Sequence, residues 1–228
     1  MARDTLTREH IVLTAIELLD EEGLDGLNMR SLGKRLGTAA TAVYWHVKNK
    51  DNLVLLAGDH VWHEIELADP EAVGWRAAAT SMATGLHAML SRHAWLVPAF
   101  GSYLFYGPGK ARYDDLSLAV YESAGFTGPE ADRAAGTVFT FVLGSVLGTS
   151  AEASLARRLG RDGGDPQELI QETVARATEV ARQFPRLRTR VDGPAATAYA
   201  AAPEQTFEFG LQILLGGLEA ELEGRDRS

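Results

Sequence analysis

The stretch from Gly23 to Lys50, GLDGLNMRSLGKRLGTAATAVYWHVKNK, constrains this chain more than any other. From Gly26 to Lys50 it carries Arg30, Lys34, Arg35, Lys48 and Lys50, one His and no acid, in a protein whose formal net charge is −9. A compact basic patch on an acidic chain is the footprint of a phosphate-contacting surface. The pattern predicts two short helices joined by a tight turn. Asn28 caps the first, Leu32 and Leu36 share one face, and Gly37 makes the turn. The second runs from about Ala39 to His46, with Val43 pointing back onto the first. Such a helix-turn-helix reads the DNA major groove with its second helix. Composition alone also allows a solvated basic hairpin with no partner.

The order Gly-x-x-Gly-Leu-x-x-Arg-x-Leu, then Lys-x-Leu-Gly, then Tyr44-Trp45-His46-Val47-Lys48-Asn49-Lys50 resembles the DNA-binding domain of the tetracycline-repressor (TetR) family. The resemblance implies a role for each matching position. Arg30 would reach a base edge, a contact that suits a guanidinium on guanine O6 and N7. His46 and Lys50 would meet phosphate, and Thr41, Tyr44 and Trp45 would lie on or near the groove-facing side. Ala40 and Ala42 stand where the tetracycline repressors carry polar base readers. Alanine offers only a methyl group, so a different operator is expected.

The 228 residues suffice for a sizeable core in one or two domains, and 46% apolar content is too high for a disordered chain. The absence of cysteine excludes disulfides and thiolate metal sites and suits a reducing cytoplasm. No secretory signal is evident at the N-terminus. The longest apolar runs, 137–149 and 207–218, read as too short to span a bilayer, so no membrane role is expected.

Helical periodicity covers 7–22, with Thr7 as cap and Gly23 as stop, and this helix would brace the two short ones. A longer helix is predicted from Asn49 to about Leu67, then further helices near 74–92, 95–104, 110–124, 129–158, 166–183 and 203–223. The stretch 184–202 reads as a loop. No segment alternates with period two, so the fold class is all-α: residues 1–48 as a three-helix DNA-binding domain, and 49–228 as a helical ligand-binding and dimerisation domain.

Gly136, Gly144 and Gly148 lie nearly on one helix face, and 207–218 (FEFGLQILLGGL) is apolar almost all the way round. A helix apolar on every side must be buried on every side, and glycines let helix axes approach closely. A second copy, or a central position in a monomer core, would satisfy this. The C-terminal FGLQILLGGLEAELE resembles the end of the tetracycline repressors. The family pairs through a four-helix bundle, which implies a homodimer through Gly136, Gly144, Gly148, Leu211, Leu214, Leu215 and Leu218.

Asp59-His60-Val61-Trp62-His63-Glu64 is the one cluster that invites an enzymatic reading, as a His/carboxylate hydrolase or a metal site. His at i and i+3 is a poorer helical pair than i and i+4, and the hydrolase leaves the basic hairpin unexplained. His87 and His93 read as satisfied, partly buried side chains. There is no Gly-rich phosphate loop, Gly-x-Ser-x-Gly or Cys nucleophile, so neither catalysis nor a cofactor is expected. The middle region instead concentrates aromatics: Trp95, Phe100, Tyr103, Phe105, Tyr106 and Tyr113. An apolar small-molecule pocket with hydroxyl handles has that lining, with Tyr103 and Tyr113 the expected donors, and the resemblance implies an inducer in this region. The tetracycline repressors hold their drug through magnesium on a His and an acid. Here Leu96 to Gly109 contains no His and Gly148 stands where the acid would align, so a largely hydrophobic effector without a metal is expected. The sum is a homodimeric, effector-responsive transcriptional repressor on a double-stranded operator. A regulator that senses nothing is the second reading.

Overall fold

Thr7 begins the first helix as expected: its Oγ1 accepts from the His10 amide at 3.1 Å. The computed structural model describes residues 6–161, 165–193 and 203–225, and every regular element among them is helical. Helix α1 (Arg8–Gly26) turns Ile11, Ala15, Leu18 and Leu19 into the core. It is broken at Gly23, whose φ of +70° suits a residue without Cβ, so the regular helix stops where the sequence indicates.

Helices α2 (Met29–Arg35) and α3 (Ala40–Val47) follow, then α4 (Lys50–Val61). The expectation of one helix from Asn49 to about Leu67 is corrected: α4 passes at Val61 into a 3₁₀ turn, Trp62–Glu64. In that geometry side chains three apart align, and Trp62 and Ile65 are both buried. Next come α5 (Pro70–Val73), α6 (Trp75–Arg92) and α7 (Leu96–Ala99). The last is much shorter than the expected 95–104, with Pro98 withholding an amide.

Helix α8 (Pro108–Ser123) lies against α6 and α9 (Pro129–Ser145). The single helix expected over 129–158 is divided at Val146, after which α10 (Leu147–Arg161) begins. Ser145 Oγ donates to Val142 O at 2.6 Å and Thr149 Oγ1 to Val146 O at 3.1 Å, and such back-bonding bends helices. By length and composition alone Pro129–Arg157 contains an 18-residue window apolar enough to cross a membrane, with mean hydropathy 1.5. In the fold Ala131, Ala134, Val138 and Val142 of this stretch pack into the protomer core.

Helices α11 (Pro166–Ala181) and α12 (Pro185–Val191) come next, the latter where a loop is predicted; residues 194–202 of that expected loop lie outside the described residues. The C-terminal α13 (Pro203–Arg225) packs on α9 and α6. Arg76 ties it to α6 through Glu219 at 2.9 Å, and Arg225 ties it to α9 through Glu130 at 2.8 Å. The buried residues from α1 to α13 form one contiguous core.

Candidate nucleic-acid interface and effector cavity

Asn28 opens α2 by accepting from the Ser31 amide at 2.9 Å, and its own Nδ2 donates to Gly26 O at 3.1 Å. Gly37 takes a φ of +62° and turns the chain. Gly33 sets how closely α3 approaches: a Cβ there would stand 2.9 Å from Thr38 O and 3.2 Å from Ala40 N. Its role was not legible in the sequence, where it is one glycine among many. Val43 and Val47 are fully buried, so α3 is held by that face and presents the opposite one.

The outward face carries Thr41, Tyr44, Trp45 and His46, all exposed, with Trp45 at 88%. Ala42 is half-buried. Ala40, expected at the groove, is also half-buried, because the Gly33 contact draws the start of α3 onto α2. Lys48 ends the helix at φ +64°, the one non-glycine with positive φ among the described residues. That turn lets Asn49 cap α4 by accepting from the Asn52 amide at 2.7 Å.

The five basic residues divide by role. Arg30, Lys34 and Lys48 are exposed, whereas Arg35 is paired with Glu21 of α1. Lys50, expected on phosphate, is half-buried and donates from Nζ to Leu24 O at 2.6 Å. It therefore ties the start of α4 to the α1–α2 connection.

The aromatic residues of the middle region separate in the same way. Tyr103, expected to donate to an effector, donates to Asp51 Oδ1 in the first turn of α4 at 3.1 Å. Burial, and then the Asp51 carboxylate, push its phenol above the usual range. Phe105 is buried against Gly58 of α4, and Tyr106 is 71% exposed. Phe100 is half-buried between Phe105 and Phe139, at ring-centroid distances of 5.2 and 5.8 Å. Trp95 donates to Asp20 Oδ1 at 2.8 Å and so joins the core to α1.

A cavity of about 300 Å³ opens between α8 and α9, lined by Lys110, Tyr113, Asp114, Ser117, Asp132 and Phe139 among others. Of the six aromatics expected around a pocket, Tyr113 alone lines this one; Phe100 stands behind Phe139, Trp95 is bonded to Asp20 of α1, and Tyr103, Phe105 and Tyr106 turn elsewhere. Burial, with Tyr121 and Asp114 nearby, pushes the Tyr113 phenol far up, so it stays neutral. Trp62 backs the cavity wall, with its ring 4.9 Å from Tyr113 and 6.4 Å from Phe139.

The 59–64 cluster has structural partners. Asp59 Oδ1 accepts from the Lys110 amide at 3.1 Å, so it caps α8 from α4, and Gly107 and Gly109 leave no Cβ where they pass it. Glu64 accepts from His93 Nε2 at 2.9 Å. His93 is 3% exposed, and its Nδ1 lies 2.8 Å from Asp20 Oδ1. Burial drives its pKa down, but the hydrogen bonds and charges of Asp20 and Glu64 outweigh this and leave it raised. Among the described residues, no group of three or more His, Asp or Glu is arranged for a metal.

The proposed pairing face is also rearranged. Leu211 and Leu215 are buried within the protomer, a correction to their expected place between copies, because α13 turns that stripe onto α9 and α6. Gly210 serves the same internal contact, where the Phe141 ring occupies the space of a Cβ. Leu214 and Leu218 are half-buried at the edge of that stripe. Phe209 (69% exposed), Ile213 (63%) and Leu147 face outward, and Gly144, Gly148, Gly216 and Gly217 have open space where a side chain would stand; Gly136, expected on the pairing face, instead opens onto the cavity between α8 and α9.

An all-helical chain whose N-terminal helix-turn-helix projects an exposed α3 defines a DNA-binding regulator. Residues 11–57 match the model of bacterial regulatory proteins of the tetR family, and 67–222 match the tetracyclin repressor-like C-terminal domain. The chain belongs to the TetR family of transcriptional regulators. It is 31% identical over 218 residues to an HTH-type transcriptional regulator of Saccharopolyspora erythraea, covering 94% of this chain and 85% of that one. It is 30% identical over 224 residues to the class C tetracycline repressor of Escherichia coli, covering 94% and 91%. Its fold is similar to that of the TetR family protein ActR of Streptomyces coelicolor in complex with actinorhodin, with TM-score 0.74, 28% identity, and 96% and 98% of the two chains covered.

Proposed function

We propose that this protein is a homodimeric repressor that binds a pseudo-palindromic operator and is released by a small, largely hydrophobic effector. The observation that carries the reading is the position of α4. One end follows the groove-facing helix α3, and the other meets the cavity through Trp62 and, through Asp59, the start of α8. A ligand that binds the two arrangements of α4 unequally shifts DNA affinity by that difference. Two copies related by a two-fold axis would set α3 into successive major grooves. The outward glycines with Phe209 and Ile213 supply the pairing face, which also accounts for the apolar, outward side of Pro129–Arg157. Residues 1–48 would form the DNA-binding unit and the remainder the sensing and pairing unit, in the cytoplasm where the genome is.

Arg30 would read a base, Thr41, Tyr44 and Trp45 would line the groove, Ala42 would offer a methyl, and His46, Lys34 and Lys48 would meet phosphate. Ligand-bound relatives such as ActR support the sensing half of the reading over a regulator that senses nothing. Footprinting on the promoter beside this gene, with and without candidate ligands, tests both halves. Protection that no ligand removes would leave only the regulator, and no protection would remove the reading.

A further inference from the structure

Asp20, Glu64 and His93 come from three elements that meet where the helices carrying α3 join the rest of the chain. Asp20 lies in the last turn of α1 before the Gly23 break, beside the Glu21 that holds Arg35 of α2. Glu64 ends the turn into which α4 runs, and His93 is the C-cap of α6. His93 is 3% exposed, with Nδ1 2.8 Å from Asp20 Oδ1 and Nε2 2.9 Å from Glu64 Oε1. An ionised carboxylate only accepts, and a neutral imidazole carries a single N–H. A neutral His93 therefore serves one of the two acids and turns a lone pair on the other, whereas the imidazolium donates to both. Resting on the reading of α1–α3 as the operator-binding unit, we propose that His93 is a proton-operated clasp. Protonated, it fixes α1 and the end of α4 against α6 in the arrangement that binds the operator; deprotonated, it loosens that arrangement and weakens binding.

The charged and polar groups around the ring leave this task to His93. Asp20 also accepts from Trp95 Nε1 at 2.8 Å, and its backbone oxygen accepts from Arg157 of α10 at 3.5 Å. Glu64 is also paired with Arg92, the residue before His93 on α6 and an exposed one, so that pair is weak. Neither Trp95 nor Arg92 reaches both acids; the imidazole alone lies between them. Burial opposes a charge on the ring, and the facing carboxylates of Asp20 and Glu64 outweigh it, so the clasp opens above the ordinary histidine value. A DNA-reading unit held less firmly spends less of its time with α3 at groove spacing, and apparent affinity falls with that fraction. Operator binding is thus accompanied by proton uptake and weakens as pH rises through the folded pKa. His46, exposed on α3 and expected at phosphate, would give the same sign, so it must be silenced in the test.

Fluorescence anisotropy on the full chain, with the promoter fragment protected in footprinting and at constant ionic strength, tests the clasp in a His46→Gln background. Affinity should fall about fivefold or more as pH rises from 6.5 upward. Adding His93→Gln should leave it weak and flat with pH. Adding Glu64→Gln instead should leave it strong and flat, because a neutral imidazole then donates from Nδ1 to Asp20 and accepts at Nε2 from the new amide. Nitrogen-15 spectra of the DNA-free protein should show both His93 ring nitrogens protonated at pH 6.5 and one deprotonating above it. A His93 ring that titrates without any change in affinity, a slope that survives His93→Gln, or a Glu64→Gln protein as weak as His93→Gln would overturn the clasp and leave the operator reading intact. A protein that binds no promoter fragment at any pH would overturn the operator reading and the clasp with it.

Discussion

The ring of Phe105 occupies the space that a side chain on residue 58 would need: Gly58 of α4 is a glycine because Phe105 lies there. The contact couples the helix behind the DNA-reading element to the aromatic run that ends at the cavity, through Phe100 and Phe139. Gly58→Ala should displace a buried ring held among Phe100 and Tyr103, and destabilise the protein by about 1–3 kcal/mol as overpacking does. Phe105→Leu should restore much of that loss in the double variant. Urea unfolding of the four proteins gives the coupling directly, and additive effects of the two substitutions would refute the contact.

His93 predicts a pH dependence with a definite sign. Both ring nitrogens face carboxylates, Asp20 on α1 and Glu64 after α4, with Arg92 also paired to Glu64 and Arg157 bonded to Asp20 O. Its folded pKa is raised above the ordinary 6.5, so the imidazolium stabilises the fold below that value. The contribution is lost as pH rises through the folded pKa. The stability difference between wild type and His93→Gln, measured by denaturant unfolding, should therefore be full below the ordinary 6.5 and shrink as pH rises above it. A difference that stays constant as pH rises would show that the histidine does not titrate there.

Arg30 is exposed at the start of α2 and forms no hydrogen bond or ion pair with the described residues, which leaves its guanidinium available to DNA. Arg30→Ala should cost roughly 1–3 kcal/mol of operator affinity and relax preference at one position per half-site. Lys34→Ala and Lys48→Ala should weaken all sequences alike and flatten the salt dependence. Fluorescence anisotropy against the footprinted operator measures each, and an Arg30→Ala protein of unchanged specificity would reassign the base contact.

The outward stripe of α13 predicts the dimer. Ile213→Glu, alone or with Phe209→Glu, should yield monomers in sedimentation at micromolar concentration, because a desolvated carboxylate finds no partner in an apolar seam. Leu211→Ala should instead lower thermal stability by about 2–5 kcal/mol, since that side chain lies inside the protomer. Dimers that persist in the double Glu variant would place the interface elsewhere.

Despite the 30% identity with a tetracycline repressor, magnesium–tetracycline should not be the effector. Leu96 to Gly109 has no histidine, and Gly148 stands where the resemblance would align the acidic ligand. Calorimetry with tetracycline should show no magnesium-dependent binding at micromolar concentration. Tight binding abolished by a chelator would reverse this assignment.

The local elements were legible in the sequence because their signals are short-range. A capping Asn28, a left-handed Gly37, a Gly23 stop and the Leu32–Val43 pattern act within a few residues, and the structure bears each of them out. The family was legible for the same reason, since its signature lies in one continuous run. Which partner each polar or aromatic side chain takes was decided only by tertiary packing. Lys50 meets Leu24 O, Tyr103 meets Asp51, and Asp59 caps a helix about fifty residues further on. Composition marks an aromatic or a lysine as suited to a ligand, but which way it faces depends on how distant helices cross. That crossing rests on such contacts as Gly58 against Phe105 and Gly210 against Phe141, where a missing Cβ matters only once the opposing ring is in place. Trp62 illustrates the limit best: in the sequence it is one apolar residue of a helix, and only the assembled core buries it against Tyr113 and leaves its N–H without a partner among the described residues.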